Sequence, residues 1–147
     1  METLNLDYRV SIRQMLKDFK FKVNASIKLE SLDLLDDVKD CVEDLEPQVF
    51  AANRSEKSHW CAYVGVRTSE VRDKMEEVGF RNATLKEVLA FGFFHEGPIN
   101  VRILDCVIAG LPGYIPFVEK TKYNIWLTLD KNNSHWDYRE KFLGIRK

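Results

Sequence analysis

Apolar residues recur along this chain with two periods, and the places where the period changes divide it into elements. Ile12, Met15, Leu16 and Phe19 fall at helical spacing, with Arg9, Arg13 and Lys17 every fourth residue on another face, which predicts a short helix. From Phe19 onward the period is two. Phe19, Phe21, Val23, Ala25, Ile27 and Leu29 alternate with Lys20, Lys22, Asn24, Ser26 and Lys28, a strand with one face in the core and one in water. Ser31 then stands where an N-cap belongs. Leu34, Leu35, Val38, Cys41, Val42 and Leu45 follow before Pro47, predicting a helix over residues 32–46. The nearly all-apolar run from Trp60 to Val66 reads as a central strand.

Thr68 and Ser69 can cap a helix carrying Val71, Met75 and Val78, with Gly79 ending it in a left-handed conformation. Thr84-Leu85-Lys86-Glu87 has the form of a capping box opening a second helix that stops by Gly97-Pro98. Ile99, Val101 and Ile103 share one parity, but Leu104, Cys106 and Ile108 take the other, which predicts a bulge near Ile103-Leu104 that keeps Asp105 on the polar face. Residues 110–116 read as a loop, Tyr123, Ile125, Leu127 and Leu129 as a strand, and residues 136–142 as a short helix ended by Gly144. The order α, β, α, β, α, α, β, β, α predicts a single α+β domain over residues 1–147: a mainly antiparallel four-stranded sheet with helices packed on one face.

Composition narrows the class without naming a function. A chain of 147 residues, 45% hydrophobic, buries about 68–70% of its unfolded surface, so neither disulfide nor metal is needed for stability. The net charge of -1 removes any argument from overall basicity for nucleic acid. The N-terminal residues lack the basic and apolar regions of a signal peptide. The uncharged stretch at 106–118 spans 13 residues with two prolines, short of the roughly 18 a membrane helix requires. Cys41, Cys61 and Cys106 are odd in number and widely spaced, which suits buried thiols in a reducing, cytoplasmic setting.

Three features carry candidate chemistry. Residues 30–46 hold eight carboxylates against Lys39 alone. On the expected helix, Asp33, Asp36, Asp37, Asp40, Glu43 and Asp44 face outward, as a solvated surface or as one aimed at a basic partner. The apolar loop ending in Tyr114 and Phe117, together with the tract Phe91-Gly92-Phe93-Phe94, either closes the core or forms an aromatic anchor on which a partner or a symmetric dimer can form. The polar sheet face gathers Lys20, Lys22, Lys28, Arg102 and Lys122 around Trp126, which has the parity of the polar residues. Such a face can stack a base while cations hold phosphate.

Catalysis is thinly represented. His59 and Cys61 share one strand face roughly 6.6 Å apart along the backbone, with no glycine-rich elbow or oxyanion loop. His95, at a helix end, reads as a partner for the last carbonyls. The cysteines and histidines lack zinc-ligand spacing, and the phosphate-loop and dinucleotide fingerprints are missing. No cofactor or metal is implied. The leading expectation is a small protein-binding module, of inhibitor or adaptor type, using an acidic helix and an aromatic loop against a partner with a basic surface. The alternatives are a nucleotide or single-stranded nucleic-acid binder using the sheet face, and a cysteine-dependent hydrolase or transferase.

Overall fold

The computed structural model describes residues 3–52, 66–132, 135–137 and 139–147. In chain order the elements are β1 (Leu4–Asp7), α1 (Ile12–Asp18), β2 (Lys22–Val23), α2 (Leu29–Asp33), β3 (Val42–Leu45), β4 (Pro47–Ala51), β5 (Val66–Arg67), α3 (Thr68–Glu77), β6 (Phe80–Asn82), α4 (Leu85–Phe94), β7 (Ile99–Arg102), β8 (Tyr114–Lys120), β9 (Ile125–Lys131), β10 (His135–Trp136) and β11 (Lys141–Arg146). The fold is α+β, with four helices among the described residues. In place of the expected four-stranded antiparallel sheet there is a mixed one of seven strands, ordered β2-β9-β8-β7-β11-β4 with β6 also on β11. The β2–β9 and β7–β11 pairings are parallel. β1–β3 and β5–β10 form separate antiparallel pairs.

β11 organises this sheet, and where a terminal helix was expected over 136–142 the described residues belong to the end of β10, an irregular segment and the start of β11. Phe142, Leu143, Gly144 and Ile145 are buried in succession, the mark of a strand covered on both faces. Alternation sends neighbouring side chains to opposite faces. Leu143 and Ile145 join α4, α1 and β1 in the larger core, whereas Phe142 joins Phe50, Phe80, Trp136, Val71 and Met75 in a second one. Helix α3 therefore covers the face opposite α4, and the expectation of helices on one face alone is corrected. Gly144 sits in this strand because a Cβ there would stand 2.7 Å from the Phe50 ring.

The two-faced burial also removes the need for a bulge. Val101 and Ile103 belong to the first core and Leu104 to the second, so alternation continues through Ile103-Leu104. The change of apolar parity marks a second covered face. The chain then turns at Asp105, whose φ is 60° and whose carboxylate holds the Arg72 guanidinium and, at 2.5 Å, the Asn82 amide.

Two N-terminal expectations fail for local reasons. The alternating segment forms a strand only at Lys22–Val23, because the Asn24 side chain accepts from the Ser26 amide at 2.9 Å and donates to Thr128 Oγ1 at 3.1 Å, turning the chain. The helix expected over 32–46 is the five-residue α2 followed by irregular chain and β3. Leu34 is 77% exposed, while Leu32 and Leu45 are the buried positions, so the helical spacing there describes no face. The central strand expected at residues 60–66 lies outside the described residues, apart from Val66 in β5.

Local expectations divide: Ser31 lies inside α2 and Thr68 and Ser69 inside α3, whose N-caps are Lys28 and Arg67, but the Gly79 stop and the α4 capping box hold. Gly79 ends α3 at φ 84°. Thr84 Oγ1 accepts from the Glu87 amide at 3.3 Å, and Glu87 Oε1 accepts from the Thr84 amide at 2.8 Å, completing the capping box. α4 lies so close to the sheet that a Cβ at Gly92 would stand 2.5 Å from Val118 Cγ1. Val118 is buried and β-branched, so it has little rotamer freedom with which to yield. Gly92→Ala is expected to cost about 1–3 kcal/mol by overpacking, read as a lower urea midpoint; a wild-type midpoint would show that α4 and β8 can separate without cost.

Candidate functional site

Within the acidic segment Asp36 and Asp37 are half-buried, while Asp33, Asp40, Glu43 and Asp44 are exposed. Asp33 accepts two bonds at 2.9 Å from the Arg13 guanidinium. Asp36 accepts the Ile12 amide at 2.9 Å and pairs at 2.8 Å with Lys86, whose side chain is fully buried. Asp37 stands 3.9 Å from Lys39, and Asp44 accepts from Asn5 at 2.8 Å. Asp40 and Glu43 are exposed. No helix aligns these carboxylates, so the expected acidic helical face does not exist.

Lys86 reaches its position through α4, and its ammonium also donates to the Tyr8 carbonyl at 3.1 Å. One residue on, the buried Glu87 accepts Arg81 through both oxygens at 2.8 Å and the Tyr8 hydroxyl at 2.6 Å. Burial alone would push the Glu87 carboxyl up, but Arg81, Tyr8 and the Thr84 amide together hold it below the ordinary carboxylate range. Burial and the bond to Glu87 push the Tyr8 hydroxyl up in turn. All of these donors are internal, so the network is a structural clamp.

The aromatic loop divides rather than gathering. β8 begins at Tyr114, and Tyr114 and Phe117 differ in parity, so they leave opposite faces of the sheet. Tyr114 is exposed, whereas Phe117 lies under Arg102 with its ring centre 4.9 Å from the guanidinium carbon. The tract at 91–94 does form a patch, with a partner the sequence analysis did not single out. Phe93 stacks on Phe19 at 4.1 Å between ring centres, and Phe94 packs edge-on against both. Phe93 is 36% exposed and Phe94 50%. Lys120 closes the helix end, donating to the Phe93 carbonyl at 2.9 Å and the His95 carbonyl at 2.6 Å, so it takes the capping role expected of His95.

Of the cations assigned to the sheet face, only Lys22 and Arg102 lie on it with Trp126. Lys20 sits in the turn after α1 at φ 56°, Lys28 precedes α2, and Lys122 sits in the β8–β9 turn, 5.7 Å from the Tyr123 ring. Lys22 stands 5.6 Å from the ring of the half-buried Trp126. Carboxylates share this face: Glu119 is the cross-strand neighbour of Trp126, and Asp130 accepts from Arg102 Nε at 2.5 Å.

Comparison with protein-family models, with curated proteins and with solved structures finds no match. Function is therefore argued from side chains alone. His59 and Cys61 lie outside the described residues. Cys41 is a half-buried free thiol, as is Cys106, which burial pushes up to about 11, away from thiolate chemistry. Among the described residues no three His, Cys, Asp or Glu side chains are grouped to hold a metal ion, and no helix is long and apolar enough to cross a membrane.

The clamp predicts a pH dependence. A depressed folded-state pKa contributes stability above the ordinary carboxylate range and loses it as pH falls through the folded value. Glu87→Gln is expected to cost about 2–3 kcal/mol at neutral pH, with the gap to wild type narrowing below about pH 4 in urea titrations. A gap of constant size down to pH 3 would mean that Glu87 acts by shape rather than by charge.

Proposed function

We propose that the protein is a protein-binding module that seats an apolar anchor of an acidic partner segment on the phenylalanine end of the molecule. The observation that carries this reading is the Phe19-Phe93-Phe94 cluster, three rings packed on one another with two of them open to solvent. Large apolar side chains exposed together mark interaction surfaces far more often than single exposed ones do. The rings are already ordered against each other, which lowers the entropy lost when a partner docks.

Charge selects the partner. Lys17 and Lys20 flank Phe19 in sequence, Lys120 holds the carbonyl of Phe93, and Lys22 and Lys122 border the neighbouring strand and turn. Asp18, Glu96 and Glu119 are the nearby carboxylates in sequence, and Asp18 accepts from Gln14 at 2.7 Å. A partner segment carrying carboxylates around an apolar residue complements this rim. The binding-module expectation is kept, but its partner changes sign, from a basic surface to an acidic one. A reducing, cytoplasmic setting suits the half-buried free thiols.

Single-stranded nucleic acid on the sheet face is the second reading, favoured by the Lys22-Trp126 pair and weakened by Glu119 and Asp130 beside it. Selection from a random peptide library separates the two. Peptides with a large apolar residue flanked by Asp or Glu are expected to enrich. Phe94→Ser is expected to weaken them about thirtyfold, and Lys20→Glu with Lys122→Glu to slow association most at low salt. Enrichment of basic peptides, or binding indifferent to Phe94, would overturn the reading; Trp126 quenching by an oligonucleotide at low salt would favour the second.

A further inference from the structure

A separate feature lies on the open part of the sheet face, independent of the phenylalanine end. Asn100 and Arg102 on β7, with Asp137, Arg139, Glu140 and Lys141 from the segment entering β11, line an open cavity of about 310 Å³. Arg102 is only 8% exposed. Its guanidinium is held from three sides, by Asp130 through Nε at 2.5 Å, by Asn100 Oδ1 through Nη1 at 3.2 Å, and by the Phe117 ring beneath it. A guanidinium carries five N–H donors in a rigid fork, and these two bonds engage two of them. A buried, pre-oriented arginine of this kind is suited to a planar or tetrahedral oxyanion.

We propose that this cavity binds a small anion bearing a carboxylate or phosphate group, with the Arg102 fork at its floor and Arg139 and Lys141 at its rim. Asp130 and Asn100 act as positioning residues: they hold the guanidinium in one orientation, so that little freedom is lost when the anion arrives. Asp137 accepts from Arg139 at 3.2 Å, which keeps that cation beside the cavity.

Glu140 gives the site a proton dependence. Its Oε2 is enclosed without a hydrogen-bond partner. Burial pushes its carboxyl up from the ordinary value; the Arg102 charge opposes this, Asp130 adds to the rise, and the backbone of Asp137 opposes it through a hydrogen bond that outweighs the repulsion from its carboxylate. The charged groups facing Glu140 are Arg102 from β7 and Asp130 from β9, with Asp137, Arg139 and Lys141 on its own segment. An anion beside Arg102 adds another negative charge, so binding favours the protonated carboxyl. A protonated Glu140 also becomes a donor that an anion oxygen can accept. Anion affinity therefore rises as pH falls.

The test is titration of the full chain with sulfate and, separately, with trifluoroacetate, followed by amide resonances of Asn100, Arg102 and Lys141 from about pH 8 down to about pH 5. Neither probe changes protonation over this range, and together they separate a phosphate-like from a carboxylate preference. Saturable shifts that strengthen toward low pH are expected. Lys141 is exposed, so Lys141→Glu should fold normally and weaken binding about three- to fivefold. Arg102→Lys keeps the charge, removes the fork and should abolish preference between the two anions. Glu140→Gln should bind more tightly than wild type at neutral pH, with a flat profile. An adventitious ion only, seen as shifts that never saturate or are unchanged by Lys141→Glu, would overturn the proposal, and a Glu140→Gln variant with the wild-type pH profile would overturn the role of Glu140.

Discussion

A carboxylate sealed at the first turn of a helix stays ionised only if enough donors converge on it, because an uncompensated buried charge costs several kcal/mol. Glu87 is in that position, and its donors come from far apart in the chain: Arg81 in the middle of β6, the hydroxyl of Tyr8 beyond β1, and the amide of its own cap. Beside it the buried Lys86 requires Asp36 and the Tyr8 carbonyl. Two adjacent residues of α4 thereby tie β1, the segment after α2 and β6 to one helix end. With that end held, the other end of α4 points its last two phenylalanines toward Phe19, and Gly92 lets the helix rest on Val118. The phenylalanine patch stands at the far end of the helix that this clamp orients.

Which parts of the fold were legible in the sequence follows from the range of the interactions that make them. The α4 capping box and the Gly79 terminator are written within four residues, and both are present as read. β11 was not legible as a strand, because Phe142-Leu143-Gly144-Ile145 shows no alternation, and strand and helix are alike in a short apolar run. What decides it is pairing with β4, β6 and β7, contacts that no local pattern contains. The same second covered face explains Leu104, whose parity suggested a bulge only while one face of the sheet was taken to be open.

The acidic segment failed as a helix for the converse reason. Counting charges from 30 to 46 measures composition, and composition is silent on whether a carboxylate meets solvent or a cation. Arg13, Lys86 and Asn5, which engage Asp33, Asp36 and Asp44, lie 20 to 50 residues away in sequence. The aromatic tract at 91–94 was closer to the mark. A helix whose last turn carries apolar residues beyond its core stripe has more apolar surface than one core can cover. Phe19, expected at the junction of the first helix and the strand, could join that patch only once α1 ended in a turn.

The two surfaces divide the charges of the molecule in a way that bears on how they work. At the phenylalanine end the cations, apart from the half-buried Lys120, sit on exposed lysines, whose hydrated ammonium groups attract at long range and yield to salt. At the cavity the central cation is an arginine buried and fixed between Asp130, Asn100 and Phe117, where its worth lies in geometry and is screened far less. An arginine already paired with one carboxylate adds little net field, so Arg102 cannot serve as a general attractor for polyanions across the sheet. What it retains is short-range, directional donation to one small group. That contrast argues for the open sheet face as a ligand pocket rather than a nucleic-acid track, and leaves the capture of a macromolecular partner to the end of α4.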